Sequence, residues 1–154
     1  MILDSMTKGE FSFWMPRCQK AYAQDKMRAN QYSEEEAKAI AAEDLARLLP
    51  KALETENHYF FSAKNEAGTI LGYAWLWIRG AESRREAFVC DVIIEPEFRG
   101  YGHGRKLMEL IEAEAQKRGA TRIGLHVFGF NSRAINLYSS LGFETTDLVM
   151  EKPI

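Results

Sequence analysis

The residues with the clearest chemical potential lie in a glycine-rich segment, residues 94–105, between an apolar stretch and an amphipathic one. Glycine occupies the alternating positions Gly100, Gly102 and Gly104, and glycine lets the backbone approach a ligand closely and adopt positive φ. If a helix begins here, its free N–H groups and its dipole favour phosphate oxygens. The segment therefore predicts an anion site, and the alternative is a glycine-rich turn that binds nothing.

Two common phosphate-binding patterns do not fit this segment. A P-loop ends in Gly-Lys-Ser/Thr, whereas Arg105 and Lys106 follow Gly104 here. The dinucleotide fingerprint is Gly-x-Gly-x-x-Gly, whereas the spacing here is Gly-x-Gly-x-Gly. What remains is the pattern Arg-x-x-Gly-x-Gly, which begins at Arg99 and ends with Gly102 and Gly104.

A second segment, residues 131–143, has the pattern of a short helix. Ala134, Tyr138 and Leu141 recur at i, i+4 and i+7, so they share one helical face. Asn131 is a suitable N-cap. Taken alone, this pattern predicts a helix that packs on the core, with Tyr138 as a core aromatic.

Together and in this order, the two segments resemble those of the GNAT N-acetyltransferase superfamily. The first resembles its pyrophosphate loop, Arg/Gln-x-x-Gly-x-Gly/Ala, and the second its Asn-x-x-Ala-x-x-Leu-Tyr-x-x-x-Gly-Phe stretch. The resemblance implies transfer of the acetyl group of acetyl-CoA to a primary amine by direct attack in a ternary complex. The alternatives are a non-catalytic module of this fold that binds or senses CoA, and an acyltransferase that uses another acyl-CoA.

The resemblance also implies which residues would bind the coenzyme. Val92 and Ile94 would contact the pantetheine arm through their backbone, and Asn131 would contact it as well. The Val92 N–H would also polarise the thioester carbonyl, and Tyr138 would protonate the leaving thiolate. The pyrophosphate would be held by Arg99, Gly100, Tyr101, Gly102, His103 and Gly104.

The general base is less defined than the coenzyme loop. Several family members have a glutamate where this chain has Cys90. Asp91 follows, and strand alternation would put it on the opposite face from Cys90 and Val92. His126 is expected at the end of the next strand, and histidine titrates near neutral pH. Asp91 and His126 are thus the two candidates, and a structural role is the alternative for each.

Helices and strands must position these residues, and the hydrophobic pattern predicts where these elements begin and end. A helix over 11–27, interrupted by Pro16, should precede one that begins at the Ser33–Glu36 capping box and ends before Pro50. The remaining predicted elements are strands over 58–64, 69–79 and 86–94, a helix over 102–118, a strand over 122–128, a helix over 131–141 and a strand over 143–152.

This order predicts an α/β fold in one domain over residues 1–154. The first three predicted strands have short connections and should form an antiparallel meander, and the later strand–helix–strand order implies a parallel pair. The result is a mixed, mostly antiparallel sheet with helices on both faces. The resemblance implies the GNAT fold, in which the two parallel strands splay apart.

Composition narrows the range of partners. A net charge of −2 over 154 residues gives no general attraction to nucleic acid. No apolar run approaches the roughly 18 residues of a membrane span, and no signal peptide is evident. Cys18 and Cys90 match no metal spacing, and free thiols are typical of a reducing cytoplasm. We therefore expect a cytoplasmic protein without metal, nucleic-acid or membrane partners.

The acceptor is expected to be a small-molecule amine or a protein amine. By the resemblance, it would enter beside the connection of the first two helices, expected at residues 24–32, and beside the final strands. Few residues follow Phe143, so the acceptor side is either open or covered by the second subunit of a homodimer.

Overall fold

The computed structural model describes residues 1–152 and residue 154. Five strands and four α-helices lie in this part of the chain: two helices follow the first strand, three consecutive strands come next, and strands and helices alternate only after that. The elements are β1 (Ile2–Ser5), α1 (Lys8–Asn30), α2 (Glu34–Leu48), β2 (His58–Lys64), β3 (Ile70–Arg79), β4 (Glu86–Ile94), α3 (His103–Lys117), β5 (Arg122–Leu125) and α4 (Ser132–Ser140).

The strands form one mixed sheet in the order β1-β2-β3-β4-β5. The first four strands are antiparallel to their neighbours, and β4 and β5 are parallel. The predicted mixed, mostly antiparallel sheet is therefore confirmed, including the meander of β2, β3 and β4. Strand β1, which was not predicted, adds four residues at the edge beside β2.

Helices cover both faces of the sheet, as the sequence predicts. On one face α3 buries Leu107, Met108 and Ile111 against the central strands. On the other face Phe11 and Trp14 of α1 pack with residues of α2, β2 and β3. The site-bearing strand β4 is therefore held from both sides. Among the described helices, none has the length and apolar character needed to cross a membrane.

Helix α1 is longer than the sequence indicated. The predicted interruption at Pro16 is wrong, since α1 runs through it over 23 residues and begins at a Thr7–Glu10 capping box. Pro16 lacks the N–H that would bond the carbonyl four residues earlier, but its side chain is exposed, so solvent can replace that bond. The predicted connection over 24–32 is consequently mostly helix, and only residues 31–33 separate α1 from α2.

The last predicted strands differ most from the structure. Strand β5 ends at Leu125 rather than at residue 128. The strand predicted over 143–152 is wrong, because its described residues have no ladder partner and no regular secondary structure. Their apolar side chains do not join the core either: Leu148 is 77% exposed, Val149 86% and Met150 90%.

Strands β3 and β4 approach each other unusually closely near the C-terminal end of β4. A Cβ atom on Gly72 would lie 2.2 Å from the carbonyl oxygen of Ile93. No side chain fits at that separation, so glycine is required at this position. The contact fixes the last residues of β4 against β3 just before the glycine-rich loop.

Candidate active site

The gap between β4 and β5 is the centre of the candidate site. The two strands pair only as far as Val89 and Leu125, whereas β4 continues to Ile94. From Cys90 onward, β4 therefore has no strand partner on its β5 side. The splayed parallel strands implied by the resemblance are present.

Two backbone N–H groups of β4 face this gap. The Glu95 N–H donates to the carbonyl oxygen of Leu71 at 2.9 Å, on the β3 side. In an antiparallel ladder, successive residues point their N–H groups to opposite sides, so Val92 and Ile94 point theirs away from β3. The Ile94 carbonyl oxygen agrees, because it accepts from Arg99 Nε at 2.8 Å. Strand β4 thus presents two N–H groups to a ligand in the gap.

The loop after β4 leads into a helix N-terminus without a side-chain cap. Gly102 occupies the N-cap position with φ 80°, and no side chain bonds there. The first bond of α3 runs from the Lys106 N–H to the Gly102 carbonyl. The N–H groups of the first helical residues, beginning at His103, therefore have no partner within the helix. Helices α1, α2 and α4, in contrast, start with side-chain caps.

Glycine in this loop is needed for backbone conformation rather than for lack of space. Gly100 and Gly102 have φ of 88° and 80°, which side chains with a Cβ rarely adopt. A Cβ on either would meet no atom within 4 Å. The space at these two Cβ positions is therefore open, and the N–H donors and the dipole of α3 suit an anion.

The loop side chains are mostly turned outward. Tyr101 is 76% exposed. His103 Nδ1 lies 2.9 Å from the carbonyl oxygen of Phe98, which fixes the ring against the loop. Gly104 packs near α4, where a Cβ would lie 3.4 Å from Leu137. The loop would therefore contact an anion mainly through its backbone.

Asp91 lies beside the gap with its carboxylate turned towards α1. Trp14 Nε1 donates to Asp91 Oδ2 at 2.9 Å, and the Cys18 thiol lies against the same carboxylate. Burial raises the pKa of Asp91 to about 6, against the opposing effect of these hydrogen bonds. A carboxylate with this pKa is largely ionised at neutral pH and can accept a proton there.

A β-bulge corrects the expected orientation of Asp91. Asp91 pairs with Trp75, but the next pair is Val89 with Leu76, so Cys90 is an extra residue in β4. The bulge places both Cys90 and Asp91 on the α1 face, and the prediction of opposite faces is wrong for this pair. Val92 does lie on the other face, against the α3 cluster.

Cys90 and Cys18 are free thiols that pack against the cluster on the α1 face. Burial raises the pKa of both, that of Cys90 to about 12. Because the thiolate is the reactive form, neither group has the properties of a nucleophile at neutral pH.

Tyr138 lies on α4, half-buried against the α3 cluster. Burial and, to a lesser extent, the charge of Asp91 raise its pKa. Its hydroxyl therefore stays protonated at neutral pH and is available as a donor. The Asn131 side chain accepts from the Ala134 N–H at 3.2 Å, which establishes its cap role; contact with a coenzyme stays a prediction.

His126 is exposed and directly follows the end of β5. Its ring packs edge-on against Phe128, with centroids 4.8 Å apart. His126 was expected at the end of this strand, but the strand ends one residue earlier, so His126 lies in the following loop. A catalytic role for His126 stays a prediction.

Sequence reasoning missed the residues of α1 that hold β4 in place. Besides Trp14, Arg17 forms a two-pronged ion pair with Glu95, with N···O distances of 2.6 and 2.7 Å, and this pair lowers the pKa of Glu95. The helical spacing of Trp14, Arg17 and Cys18 indicates a shared face. Nothing in the sequence showed that this face meets β4.

The end of α1 and residues 126–130, which follow β5, form a wall beside the gap between β4 and β5. The guanidinium carbon of Arg28 lies 3.9 Å from the centroid of the Phe130 ring, and Phe130 stacks with Phe128 at 5.4 Å. Asp25 is half-buried nearby, and burial raises its pKa, although Arg28 opposes the shift. This wall therefore combines a carboxylate with aromatic surface.

Within the described residues, no group of three or more His, Cys, Asp or Glu side chains is arranged to hold a metal ion. The site instead offers backbone N–H groups, those of Ile94 in β4 and of the N-terminus of α3, while the Val92 N–H also interacts with the Asp91 carboxylate.

Comparison with known proteins places this geometry among acetyltransferases. The model of the Acetyltransferase (GNAT) family matches residues 17–143. The uncharacterized N-acetyltransferase YycN of Bacillus subtilis is 30% identical over 154 residues, which is all of this chain and 99% of that protein. The uncharacterized N-acetyltransferase YdgE of the same organism is 28% identical, over 99% of this chain and 97% of its own length.

Solved structures agree with the sequence matches. The crystal structure of YycN superposes with a TM-score of 0.94 at 31% identity and covers 99% of this chain and 98% of that one. At 19% identity, AAC(6')-Iy in complex with a bisubstrate analog, CoA-S-monomethyl-acetylneamine, shares the fold with a TM-score of 0.62, over 99% of this chain and 97% of its own.

Proposed function

The chain belongs to the acetyltransferase (GNAT) family, and on that premise we propose that it transfers the acetyl group of acetyl-CoA to a primary amine by direct attack in a ternary complex. The observation that carries the proposal is the uncapped N-terminus of α3 beside the gap between β4 and β5. Both features turn backbone N–H groups towards one elongated ligand, and AAC(6')-Iy, of the same fold, is known with a CoA-containing analog.

The residues present fit the coenzyme. Its pyrophosphate matches the N–H groups that follow Gly102, where the helix dipole favours negative charge. Its pantetheine amides match the N–H groups that Val92 and Ile94 turn into the gap and the Val92 carbonyl, whereas the Ile94 carbonyl already accepts from Arg99. The coenzyme supplies a thioester carbonyl that an amine can attack, and the Val92 N–H would stabilise the charge that develops on the carbonyl oxygen.

Proton transfer would use two side chains that flank the gap. Asp91 accepts the proton of the attacking amine, directly or through a water molecule, because its carboxylate is ionised above a pKa of about 6. Tyr138 keeps its proton at neutral pH and donates it to the departing sulfur. Proximity of the bound reactants accounts for much of the acceleration, and no covalent bond to the protein is required.

The acceptor would enter between the end of α1 and residues 126–130. Asp25 could attract an ammonium group, and the rings of Phe128 and Phe130 could pack against its carbon chain. A small-molecule amine and a protein amine both fit this chemistry. We propose the cytoplasm as the location, because both thiols are free and disulfides are rare there.

Calorimetric titration with acetyl-CoA tests the coenzyme site. Gly102→Asp adds a side chain and a negative charge in front of the free N–H groups and should abolish binding. Gly68→Asp is a matched control: Gly68 has φ 81° and open space around its Cβ position, but it lies in the β2–β3 turn. Loss of binding in Gly102→Asp alone supports the proposal, and absence of binding to the native protein contradicts it.

Thiol release in the presence of an amine library separates catalysis from mere binding. The native protein should release CoA with at least one amine, and Tyr138→Phe should slow release without weakening acetyl-CoA binding. Binding without any transfer would favour the non-catalytic CoA-binding or sensing module. Faster transfer from propionyl-CoA or succinyl-CoA would favour a different acyl donor.

A further inference from the structure

An ion pair joins helix α1 to the start of the glycine-rich loop. Arg17 Nη1 and Nη2 donate to the two carboxylate oxygens of Glu95 at 2.6 and 2.7 Å. Solvent-exposed ion pairs contribute little to stability, but the Glu95 side chain is only 14% exposed, and two parallel arginine–carboxylate bonds fix both distance and orientation. Neither side chain takes part in the proton transfers proposed above, so the pair must be explained by what it holds in place.

Glu95 is the residue at which β4 ends and the loop begins. Its N–H donates to the Leu71 carbonyl oxygen of β3, and its own carbonyl oxygen accepts from the Phe98 N–H, each at 2.9 Å. The Phe98 carbonyl oxygen in turn lies 2.9 Å from Nδ1 of His103, the first residue of α3. A continuous series of contacts therefore runs from Glu95 to the helix N-terminus that would bind the pyrophosphate.

The middle of the loop has few other contacts that could fix its position. Residues 99–102 are all exposed, and no side chain caps the N-terminus of α3. Arg99 Nε donates to the Ile94 carbonyl oxygen at 2.8 Å, which again ties the loop to the end of β4. The position of the loop therefore depends on its two ends, α3 on one side and the Glu95 junction on the other.

The charges at this junction oppose the binding of an anion unless they are balanced. Two carboxylates, those of Glu95 and Glu97, stand at the start of the loop. The pKa of Arg17 is raised chiefly by its hydrogen bonds to Glu95, and the charge of Glu97 adds to the effect. Arg17 lowers the pKa of Glu95, and the charge of Arg99 does so to a lesser extent. Without Arg17, the Glu95 carboxylate would attract Arg99 and repel phosphate.

We propose that Arg17 is a positioning residue for the pyrophosphate of the coenzyme and that it acts through Glu95. The ion pair fixes the start of the loop and leaves the Arg99 guanidinium available to phosphate oxygens. Arg17 itself does not contact the ligand. The inference rests on the proposed function, because it takes the glycine-rich loop as the pyrophosphate site, and it adds a residue of α1 that sets the affinity of that site.

Two ligands that differ in the pyrophosphate test this role. Acetyl-CoA binding is measured by calorimetry. S-acetylpantetheine has the same thioester arm without the pyrophosphate, and its binding is followed by NMR titration of the Val92 and Ile94 amide signals. Arg17→Met should weaken acetyl-CoA binding by at least about tenfold, because the loop loses its anchor and Glu95 its partner. S-acetylpantetheine binding should weaken by less than about twofold, because the arm lies in the gap and not in the loop.

A matched variant and a conservative one complete this comparison. Arg47→Met removes a similar ion pair, at 2.8 Å from Asp44, on the remote helix α2 and should change neither affinity. Arg17→Lys keeps the charge but not the two-pronged geometry, so its acetyl-CoA affinity should lie between those of the native protein and Arg17→Met. Equal losses for the two ligands in Arg17→Met would mean that α1 merely supports β4, and that result overturns the proposal.

A double-mutant cycle tests whether Arg17 acts through Glu95. In a Glu95→Gln background, Arg17→Met should change the Kd of acetyl-CoA by less than about twofold, because the interaction is already lost. An undiminished loss in that background overturns the proposal. Native binding that is unchanged in both Arg17→Met and Arg17→Lys overturns this inference alone, whereas absence of acetyl-CoA binding to the native protein contradicts the proposed function and this inference with it.

Discussion

Asp91 is held in an environment that disfavours its charge. Burial raises the pKa of its carboxyl group from 3.8 to about 6, so the folded state binds more protons than the unfolded state between these pH values. Stability must then fall as pH rises through that interval and stay lower above it. The carboxylate that suits proton transfer near neutral pH is therefore expected to destabilise the fold.

Asp91→Asn tests this opposition between activity and stability. The variant should lose about 100-fold or more in kcat/KM, because it cannot accept a proton. It should gain about 1 to 3 kcal/mol in the free energy of unfolding at pH 8, because the buried charge is gone. Denaturant unfolding at pH 8 and pH 5 checks the cause: the gain should shrink at pH 5, and a gain that is equal at both pH values would refute it.

Trp14→Phe should change the pH dependence of the reaction. The Trp14 N–H stabilises the ionised form of Asp91, so its loss should move the acidic limb of kcat/KM to higher pH, by about one pH unit. Trp75→Phe is the control, because Trp75 lies in the same cluster but donates to His58 Nδ1. An identical shift in both variants would mean that general loosening of the core, and not loss of the hydrogen bond, moves the acidic limb of kcat/KM.

At the scale of single residues, the sequence identified Asp91 as a candidate but not its surroundings. A carboxylate in an apolar strand must find partners, and that much is readable from β4 alone. The partner Trp14 lies 77 positions away, and its donor role depends on how α1 lies across the sheet. Residue type therefore predicted the need for a hydrogen bond and not its origin.

At the scale of the secondary-structure elements, the backbone N–H groups of β4 fall into two sets with different hydrogen-bond partners. Alternate N–H groups are tied to β3, whereas those of Val92 and Ile94 face the gap beyond the last pair with β5. A ligand lying in the gap would be bonded to one set only. Ligand binding should therefore affect one set of N–H groups and not the other, and this difference can be measured on the protein without any amino-acid substitution.

Amide hydrogen exchange should separate these two sets. Without ligand, the Ile94 and Val92 amides should exchange faster than that of Ile93, which bonds to β3. Saturating acetyl-CoA should slow exchange at Val92 and Ile94 by about tenfold or more and leave Ile93 unchanged. Residue-resolved exchange by NMR measures this, and uniform protection along β4 would indicate general tightening instead of pairing with the coenzyme.

The elements also show where sequence patterns are reliable and where they are not. Helix α2 begins at its capping box, and β2 and β4 match their predicted bounds, because local signals determine them. The bulge at Cys90 has no local signal, since it arises from pairing with β3. The predicted interruption at Pro16 is wrong because this exposed proline leaves the carbonyl four residues earlier to solvent and leaves the packed face of α1 intact.

At the scale of the whole molecule, one of the three apolar clusters lies between α1 and α2, and the sheet separates the other two. One lies under α3 and the other under α1 and α2, and β4 contributes to both. The predicted order of helices and strands was sufficient to indicate helices on both faces of the sheet. The sequence could not show that residues 144–152 stay off the sheet, because they have the composition of an ordinary strand.

The close approach at Gly72 limits which amino-acid replacements this sequence can tolerate. Gly72 carries no functional group and lies outside the chemistry, yet even one added carbon would collide with the Ile93 carbonyl oxygen at 2.2 Å. A selection experiment on randomised codons should therefore find position 72 as intolerant of replacement as position 91. Mutational intolerance in this protein would then mark two unlike classes of site, one chosen for reactivity and one for the absence of a side chain.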